Sequence, residues 1–466
     1  MAARKIHCIG IGGIGVSALA KWYRLQGCSV NGSDVKKSEI SADCEAMGIE
    51  VFEGHNPNNI RPDTDMVIYS DAVQENNPER NEARRLHITE MSYAQALGEI
   101  SRNKRTIAIS GTNGKSTTTA MVGLILEAAG FDPTVIVGSK VSSFKHGNLR
   151  VGKTDWFVVE GDEYRDHMLH LAPEMIILTN IELDHTDYFR DVKHLEESFM
   201  RYVDGLHKQR EGTLVVNLDN RICERISAVA RGYARVITFG SAMPADFLGR
   251  HRRSKSQRQY FDLTRKVSQE ETMGTIELQI PGEINMYNAL AAASCAVSLG
   301  ISLATIQKAL ADFSGIWRRF ERVGTWKGAE IISDYAHHPT SVAATLAAAR
   351  EFFPGKRIIA VFQPHHRNRT RALFDDFAKS FSGADVAIVN EIYDVAGREE
   401  DGDTISSREL VEAMKHPHAH YAADLDETLR LSEEIIKERD VVLIMGAGSI
   451  DSLARKLVQK SLPLFL

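Results

Sequence analysis

The feature that most constrains this chain is the stretch from Ile107 to Thr119, Ile-Ala-Ile-Ser-Gly-Thr-Asn-Gly-Lys-Ser-Thr-Thr-Thr. A β-branched apolar run enters a glycine turn, Gly111-Thr112-Asn113-Gly114, and leaves through Lys115, Ser116 and Thr117 into a helix-forming segment, 117–130. Strand, turn, Gly-Lys-Ser and helix in that order make a phosphate-binding loop. Backbone N–H groups and the helix N-terminus face an anion, the lysine reaches the β- and γ-phosphates, and the serine hydroxyl holds Mg²⁺. The full pattern places a glycine five residues before Gly114, where Ile109 stands. The alternative is a glycine turn that only caps a helix.

A chain of 466 residues has room for about three domains. Its 43% hydrophobic and 25% charged residues are those of a globular protein. A net charge of −6 speaks against a protein built around nucleic acid or an anionic membrane. The one basic run, 250–258 with Arg252, Arg253 and Lys255, reads as a solvated loop, since no stacking aromatics are interleaved. Five scattered cysteines without a C-x-x-C pair argue against a zinc site or a disulfide framework and for reducing cytoplasm. No signal-peptide core and no run of about 18 apolar residues is present, so no membrane insertion is expected.

The first segment is Rossmann-like. A strand from Lys5 leads into Gly10, Gly12, Gly13 and Gly15, a helix spans 16–26, and a second strand, 28–31, ends in Gly32-Ser33-Asp34. Such a turn lets backbone approach a pyrophosphate, and the acid about 20 residues on can meet a ribose hydroxyl. NAD(P), FAD, a UDP-sugar or plain helix–sheet packing all fit it. A strand at 66–69 ends in Ser70-Asp71, again where ligands sit in open sheets. Residues 102–105 form a basic bridge into the phosphate-loop domain. Its strands are read at 134–137, 156–159, 175–178, 212–217 and 235–239, with a small antiparallel element over 260–280 and a helix over 286–299. A second linker lies at 313–320. The remainder repeats the α/β alternation, with strands at 331–334, 357–362, 386–390 and 441–445. The expected fold class is therefore α/β in three domains: Rossmann-like (1–104), a P-loop central ATPase domain (105–316), and a Rossmann-like C-terminal domain (317–466).

Polar clusters follow the strands. Glu160-Gly-Asp162-Glu163 and Thr179-Asn180-Ile-Glu182-Leu-Asp184-His185 fall where a P-loop domain meets phosphate and Mg²⁺. Glu160 and His185 can hold metal, with Asp184 orienting the imidazole. Carboxylates there can equally cap helices. Arg318-Arg319-Phe320, Asp334-Tyr335-Ala-His337-His338-Pro339 and Gln363-Pro-His365-His366-Arg367-Asn-Arg369-Thr-Arg371 supply arginines suited to carboxylate or phosphate.

Together with Pro281-Gly282, Asn285 and Asn288, these motifs resemble the Mur ligases, the ATP-dependent amide-forming enzymes of peptidoglycan synthesis, over essentially the whole chain. The branch they resemble most joins L-alanine to UDP-N-acetylmuramate. That resemblance implies UDP-sugar contacts at Gly10, Gly12, Gly13, Gly15, Ser33, Asp34 and Ser70. It implies ATP contacts at Gly111, Thr112, Asn113, Gly114, Lys115, Ser116, Thr117, Asn285, Asn288, Arg319 and Asp334. Mg²⁺ falls to Ser116, Glu160 and His185, and the amino acid to Tyr335, His337, His365, His366 and Arg369. Lys115, Glu160, His185, His337 and Arg369 are the implied catalytic groups. ATP would phosphorylate the muramoyl carboxylate, the amine would attack the acyl phosphate, and three domains carrying three substrates imply closure on binding. A monomer or homodimer is expected.

The chain departs from that branch in places. Asn113 and Ser116 stand where His and Thr are usual, Tyr164 where a serine is usual, and His366 where an arginine is expected, with Arg367 one place on. Tyr164 is shared with the murein tripeptide-recycling ligase. Against that enzyme stands the Gln363-to-Arg371 run. No lysine occurs between Lys193 and Lys208, where several other Mur branches carry a carbamylated one. A P-loop hydrolase or switch, a catalytically dead module and a dinucleotide-dependent dehydrogenase are the readings from other classes.

Overall fold

The computed structural model describes residues 4–185, 188–208, 212–242, 244–266, 269–393 and 405–460. Among these, three sheets form. The first holds β1 (Lys5–Ile9), β2 (Ser29–Asp34), β3 (Glu50–Glu53), β4 (Met66–Tyr69) and β5 (Thr89–Ser92), all parallel, in the order β3-β2-β1-β4-β5. The order reverses between β1 and β4, which leaves a crevice at their C-terminal ends. The glycine turn after β1 and Ser70 after β4 meet there. A Cβ on Gly10 would lie 2.9 Å from Ser70 Cβ, and Gly10 has φ +80°, so only glycine fits.

The second sheet has ten strands. They are β6 (Arg105–Ser110), β7 (Thr134–Ile136), β8 (Leu149–Arg150), β9 (Trp156–Gly161), β10 (Met175–Leu178), β11 (Thr213–Asn217), β12 (Arg235–Gly240), β13 (Phe247–Lys255), β14 (Arg258–Lys266) and β15 (Glu270–Leu278). Their order is β15-β14-β13-β12-β11-β10-β6-β9-β7-β8. Ser110 pairs with Gly161 of β9 and with Leu178 of β10. Three chain segments therefore leave this sheet at one level: the phosphate loop, the acidic loop from Asp162, and the Thr179–His185 loop.

The third sheet holds β16 (Glu321–Trp326), β17 (Ala329–Asp334), β18 (Ile358–Phe362), β19 (Val386–Asn390), β20 (Ala419–Ala422) and β21 (Val441–Met445), in the order β16-β17-β21-β18-β19-β20. Only β16 is antiparallel. Asp334, Met445 and Phe362 are in register, so Tyr335, Gln363 and Gly446 emerge together.

The mixed α/β class is as the sequence implies, and several elements differ in detail. The basic run at 250–258 is not a solvated loop. Arg252, Arg253 and Lys255 lie on β13, which turns through Ser256-Gln257, both at positive φ, into β14. Arg252 is tied to Glu351 at 2.7 Å, so the charges line a hairpin. The antiparallel element thus begins at Phe247, before the expected 260; residues 267–268 of the expected span lie outside the described residues. Short polar strands β3, β5, β16 and β20 carry no apolar run to announce them.

The chain packs into two compact units. One comprises Met1–Arg250, Asp262–Ile276 and Tyr287–Leu310; the other comprises His251–Phe261, Glu277–Met286 and Ala311–Leu466. The first unit contains the five-stranded sheet and most of the ten-stranded one. Its apolar core runs from Ile6, Leu19 and Leu97 to Phe157, Leu178 and Phe199. In the second unit Phe352, Phe362 and Phe377 fill one face of the third sheet, and Ile331, Val361 and Leu457 the other.

Inside the first unit a polar latch joins the two sheets. Lys21, on the helix Ile14–Leu25, is 2% exposed and donates to Asn148 Oδ1 at 3.0 Å and to the His146 carbonyl at 3.3 Å. The Asn148 amide donates to the Ile14 carbonyl at 2.6 Å and Ser17 Oγ at 2.9 Å. Removing one partner of a buried charged contact costs about 2–4 kcal/mol. N148A is therefore expected to lower the Tm by several degrees in calorimetry. K21M added to N148A should cost less than the sum of the single changes, because the stranded ammonium is gone.

Candidate active site

Glycine geometry shapes the phosphate loop. Gly111 has φ +131°, and a Cβ there would lie 2.3 Å from Thr179 Oγ1. Gly114 has φ +86° and caps the helix Lys115–Ala128; its Cβ would lie 2.2 Å from Asn288 Oδ1. The loop is braced by the neighbouring strand: Thr112 N–H donates to the Asn180 carbonyl at 2.8 Å and Asn113 N–H to Asn180 Oδ1 at 3.0 Å. The Lys115 ammonium curls over the loop to the Gly111 carbonyl (2.7 Å) and Glu163 Oε2 (2.7 Å). Burial works to lower the Lys115 pKa, but Glu163, Asp162 and Glu160 outweigh it and hold the amine charged. Ser116 Oγ donates to Glu160 Oε2 at 3.1 Å, and the Gly138 N–H also binds Glu160. Burial raises the Glu160 pKa against those donors.

Ligand atoms of Asp162, Glu163 and His185 lie within 4.8 Å of one another. The structure thus brings Ser116 to Glu160, and His185 to Glu163 and Asp162. Carboxylates, a hydroxyl and one imidazole suit a hard divalent cation. The Tyr164 ring lies tilted against the His185 ring, their centroids 4.8 Å apart.

In the first sheet the Gly12 N–H donates to Asp34 Oδ2 at 2.8 Å, so this carboxylate holds the glycine turn itself. Gly13 caps the helix Ile14–Leu25, and a Cβ on Gly15 would strike the Tyr93 ring at 2.7 Å. The Ser33 carbonyl accepts from Gly10 N–H at 2.8 Å, while its hydroxyl turns inward and donates to Glu79 at 2.5 Å. Glu79 is fully buried. Burial works to raise its pKa, and His7, Ser33 and Asn59 overcome that and bring it down to about 2. His55 reaches both Ser33 Oγ (3.0 Å) and Glu79 (3.4 Å). Neither Glu79 nor its histidines stood out in the sequence; the Asn77-Pro-Glu79 helix start was the available signal.

In the third sheet Asp334 accepts from Phe320 N–H at 2.7 Å and Ala336 N–H at 2.8 Å, which fixes the turn after β17. Burial raises its pKa against Arg319 and those donors. Arg318 and Arg319 lie over the Tyr335 ring at 4.9 and 5.1 Å. His337 Nδ1 faces the Tyr335 carbonyl at 2.9 Å. The His337 and His365 rings are 6.3 Å apart, and His365 packs on His366 at 4.2 Å and stacks on Tyr393 at 5.6 Å. Burial, then His366, Arg369, His337 and Arg318, push the His365 pKa down to about 4, so it is neutral at pH 7. Tyr335, His337, His365, His366 and Arg369 thus form one cluster. The Arg367 guanidinium donates to the Ile405 carbonyl. Asn285 donates to the Pro281 carbonyl at 2.7 Å; Asn288 meets Gly114 and Thr118.

Comparison with known proteins agrees with this layout. Residues 5–105 match the Mur ligase family catalytic domain, 109–296 the Mur ligase middle domain, and 318–448 the Mur ligase glutamate ligase domain. The chain belongs to the Mur ligase family. Among curated relatives, the UDP-N-acetylmuramate–L-alanine ligase of Salinibacter ruber is 38% identical over 96% of this chain and 93% of its own length. That of Persephonella marina is 37% identical over 98% and 96%. The crystal structure of UDP-N-acetylmuramate-alanine ligase from Thermotoga maritima superposes with a TM-score of 0.85 at 28% identity, covering 98% of this chain and 99% of that one. A murein peptide ligase from Psychrobacter arcticus shares the fold, with a TM-score of 0.72 at 23% identity over 98% of both chains. As in a Mur ligase of this architecture, three sheet-based domains follow one another, and no helix of the described residues is long and apolar enough to cross a membrane.

Two outcomes follow from the site's geometry. G114A forces a positive φ that costs about 1–3 kcal/mol and drives a methyl into Asn288; calorimetry should show ATP binding lost while UDP-sugar binding remains. The second concerns His167, whose ring lies between Asp162 and Asp71. Burial works to lower its pKa, and the two aspartates raise it from 6.5 to about 9. A raised folded pKa contributes stability that is complete below pH 6.5 and lost as pH rises through about 9. The Tm gap between wild type and H167Q should therefore narrow from pH 7 to above pH 9.

Proposed function

We propose that this Mur ligase forms the amide bond between the carboxylate of UDP-N-acetylmuramate and the amine of L-alanine, with ATP converted to ADP and phosphate. The observation that carries this reading is the phosphate loop: Lys115 charged beside Glu163, Ser116 on Glu160, and three loops emerging at one level of the second sheet. The names of relatives alike over nearly the whole chain support the same substrates.

A carboxylate does not condense with an amine at neutral pH. In the reading adopted here, an oxygen of the muramoyl carboxylate attacks the γ-phosphorus, and the bond to ADP breaks. The acyl phosphate is then attacked by the amine, and phosphate leaves the tetrahedral carbon. Lys115 gives up its pairing with Glu163 to the incoming phosphates, and the N–H groups of residues 111–116 line the same charge, so positioning and neutralisation do most of the work. Mg²⁺, for which Ser116 and Glu160, and His185 with Asp162 and Glu163, are the fitting residues, supplies further neutralisation of phosphate oxygens. The glycine turn and Ser70 of the first sheet take the UDP-sugar. The cluster of Tyr335, His337, His365, His366 and Arg369 takes the amino acid, with Arg369 the guanidinium suited to its carboxylate. Domain limits of 1–104, 105–316 and 317–466 and a cytoplasmic setting, where ATP and UDP-sugars are made, complete the reading.

Tyr164 against His185 favours one second reading, ligation of a preformed tripeptide to the same UDP-sugar. Phosphate release from ATP and Mg²⁺ distinguishes the two. The expected outcome is turnover only with both UDP-N-acetylmuramate and L-alanine, and a drop of about 1,000-fold or more in K115M. Turnover with L-Ala-γ-D-Glu-diaminopimelate alone would transfer the chain to the second reading. Release without either co-substrate would refute ligation.

A further inference from the structure

Arg318 carries a charge for which the fold provides no carboxylate. Its guanidinium lies over the Tyr335 ring at 4.9 Å and donates to the Gly446 carbonyl and, at 3.3 Å, to the Gly448 carbonyl. Its Nε is buried and has no hydrogen-bond partner. Among the described residues no acid forms an ion pair with this side chain. The acids whose charge it feels are Asp451 and Asp334, and both are committed. Asp451 accepts from the Ser333 hydroxyl at 2.5 Å, and Asp334 accepts from the Phe320 and Ala336 N–H groups. Glu321, which accepts from the Arg318 backbone N–H, is paired with Arg455 at 2.5 Å. An arginine stays charged even so, and a buried charge without a counter-ion is costly.

The neighbours do not supply the missing anion. Burial, then His366, Arg369, His337 and Arg318, hold His365 neutral, so the surroundings of that ring are cationic. Its Nδ1 is also buried without a hydrogen-bond partner. Backbone strain collects at the same place. Arg318, Phe320 and His366, none of them glycine, have φ +57°, +47° and +68°. Such conformations persist where the surroundings over-determine them, and they gather at ligand sites. Here the Tyr335 N–H donates to the Arg318 carbonyl at 2.7 Å, which ties the strained residue to the turn after β17.

Two guanidiniums, a neutral imidazole with an unpaired nitrogen and no uncommitted carboxylate suit a small anion. In the function proposed above this cluster takes the amino acid, whose anionic part is its carboxylate. The Mur ligase pattern expects an arginine at position 366, where this chain has histidine. Arg318 offers a guanidinium to the same cluster from the segment that leads into β16.

We propose that Arg318 is a specificity-determining residue for the acceptor: together with Arg369 it binds the amino-acid carboxylate, in place of the arginine that position 366 lacks. The proposal rests on the function proposed above and concerns only the second half-reaction. L-Alaninamide has the same amine and methyl group with the carboxylate neutralised, so it reads the contact directly. In wild type, kcat/KM for L-alanine should exceed that for L-alaninamide. In R318M this ratio should fall about 30-fold or more, the size of one lost buried charge contact. Most of the loss should appear in the KM for L-alanine.

Hydroxylamine supplies the control. It attacks the acyl-phosphate carbon, phosphate leaves and a hydroxamate forms, with no acceptor carboxylate to bind. Hydroxamate formation in R318M should fall far less than turnover with L-alanine. An arginine that only held the Gly446 and Gly448 carbonyls would lower turnover with L-alanine and L-alaninamide alike, so an unchanged ratio overturns the proposal. Loss of hydroxamate in folded R318M also overturns it and gives Arg318 to the phosphates. If R318M does not fold, R318K decides. It keeps the charge but not the planar fork, so the ratio should fall several-fold, and a wild-type ratio overturns the proposal. A ratio near one in the wild type overturns the role of Arg318 and leaves the ligase reading standing. No hydroxamate in wild type with ATP, Mg²⁺ and UDP-N-acetylmuramate overturns the ligase reading and the proposal with it.

Discussion

Lys115 is a charged amine in a buried setting, and the architecture of the second sheet exists around that fact. An ammonium there needs anions, and Glu160, Asp162 and Glu163 provide them from the strand next door. Those acids reach it only because β6 and β9 are in register at Ser110 and Gly161, so both loops begin at one height. The same acids, together with His185, are groups able to hold a divalent cation. Without nucleotide, the carboxylates satisfy the lysine. In the reading proposed above, the phosphate oxygens of a bound nucleotide would take the lysine and leave the carboxylates for a metal.

The strand-end loops share a second property: their polar groups hold each other. Asp34 braces the Gly12 N–H, Asn180 braces Thr112 and Asn113, and Asp334 braces Phe320 and Ala336. Fixing a loop beforehand removes entropy that binding would otherwise have to oppose. Several residues that resemble ligand contacts therefore act here on the backbone that makes the contact. Ser33 is the clearest instance, its carbonyl fixing the glycine turn while its hydroxyl is committed to Glu79.

Glu79 shows why part of the site could not be found in the sequence. A glutamate in a helix that begins Asn77-Pro78 reads as an ordinary first-turn acid. Its donors come from positions 7, 33, 55, 56 and 59, which are brought together by three parallel crossovers. The same holds for His167, whose partners Asp71 and Asp162 lie on different sheets. The basic run on β13 misleads for a related reason. Charge predicts exposure, and a hairpin with one face in water satisfies that as well as a loop does.

The sequence by itself determined whatever depends on contiguous residues. The phosphate loop, the glycine turn, the strand-end clusters and the alternation of buried strands with helices are local patterns set by backbone sterics and by the order in which apolar runs meet polar turns. Legible in the same way were the α/β class, the three successive sheets and most of the residues gathered at each strand edge. Tertiary structure alone decided which of these residues meet. It placed His185 with Glu163 and Ser116 with Glu160, joined Arg367 to the Ile405 carbonyl, and set His167 between two aspartates. Those pairings follow from strand register and from loops bent into positive φ, and neither leaves a periodicity that a single chain can display.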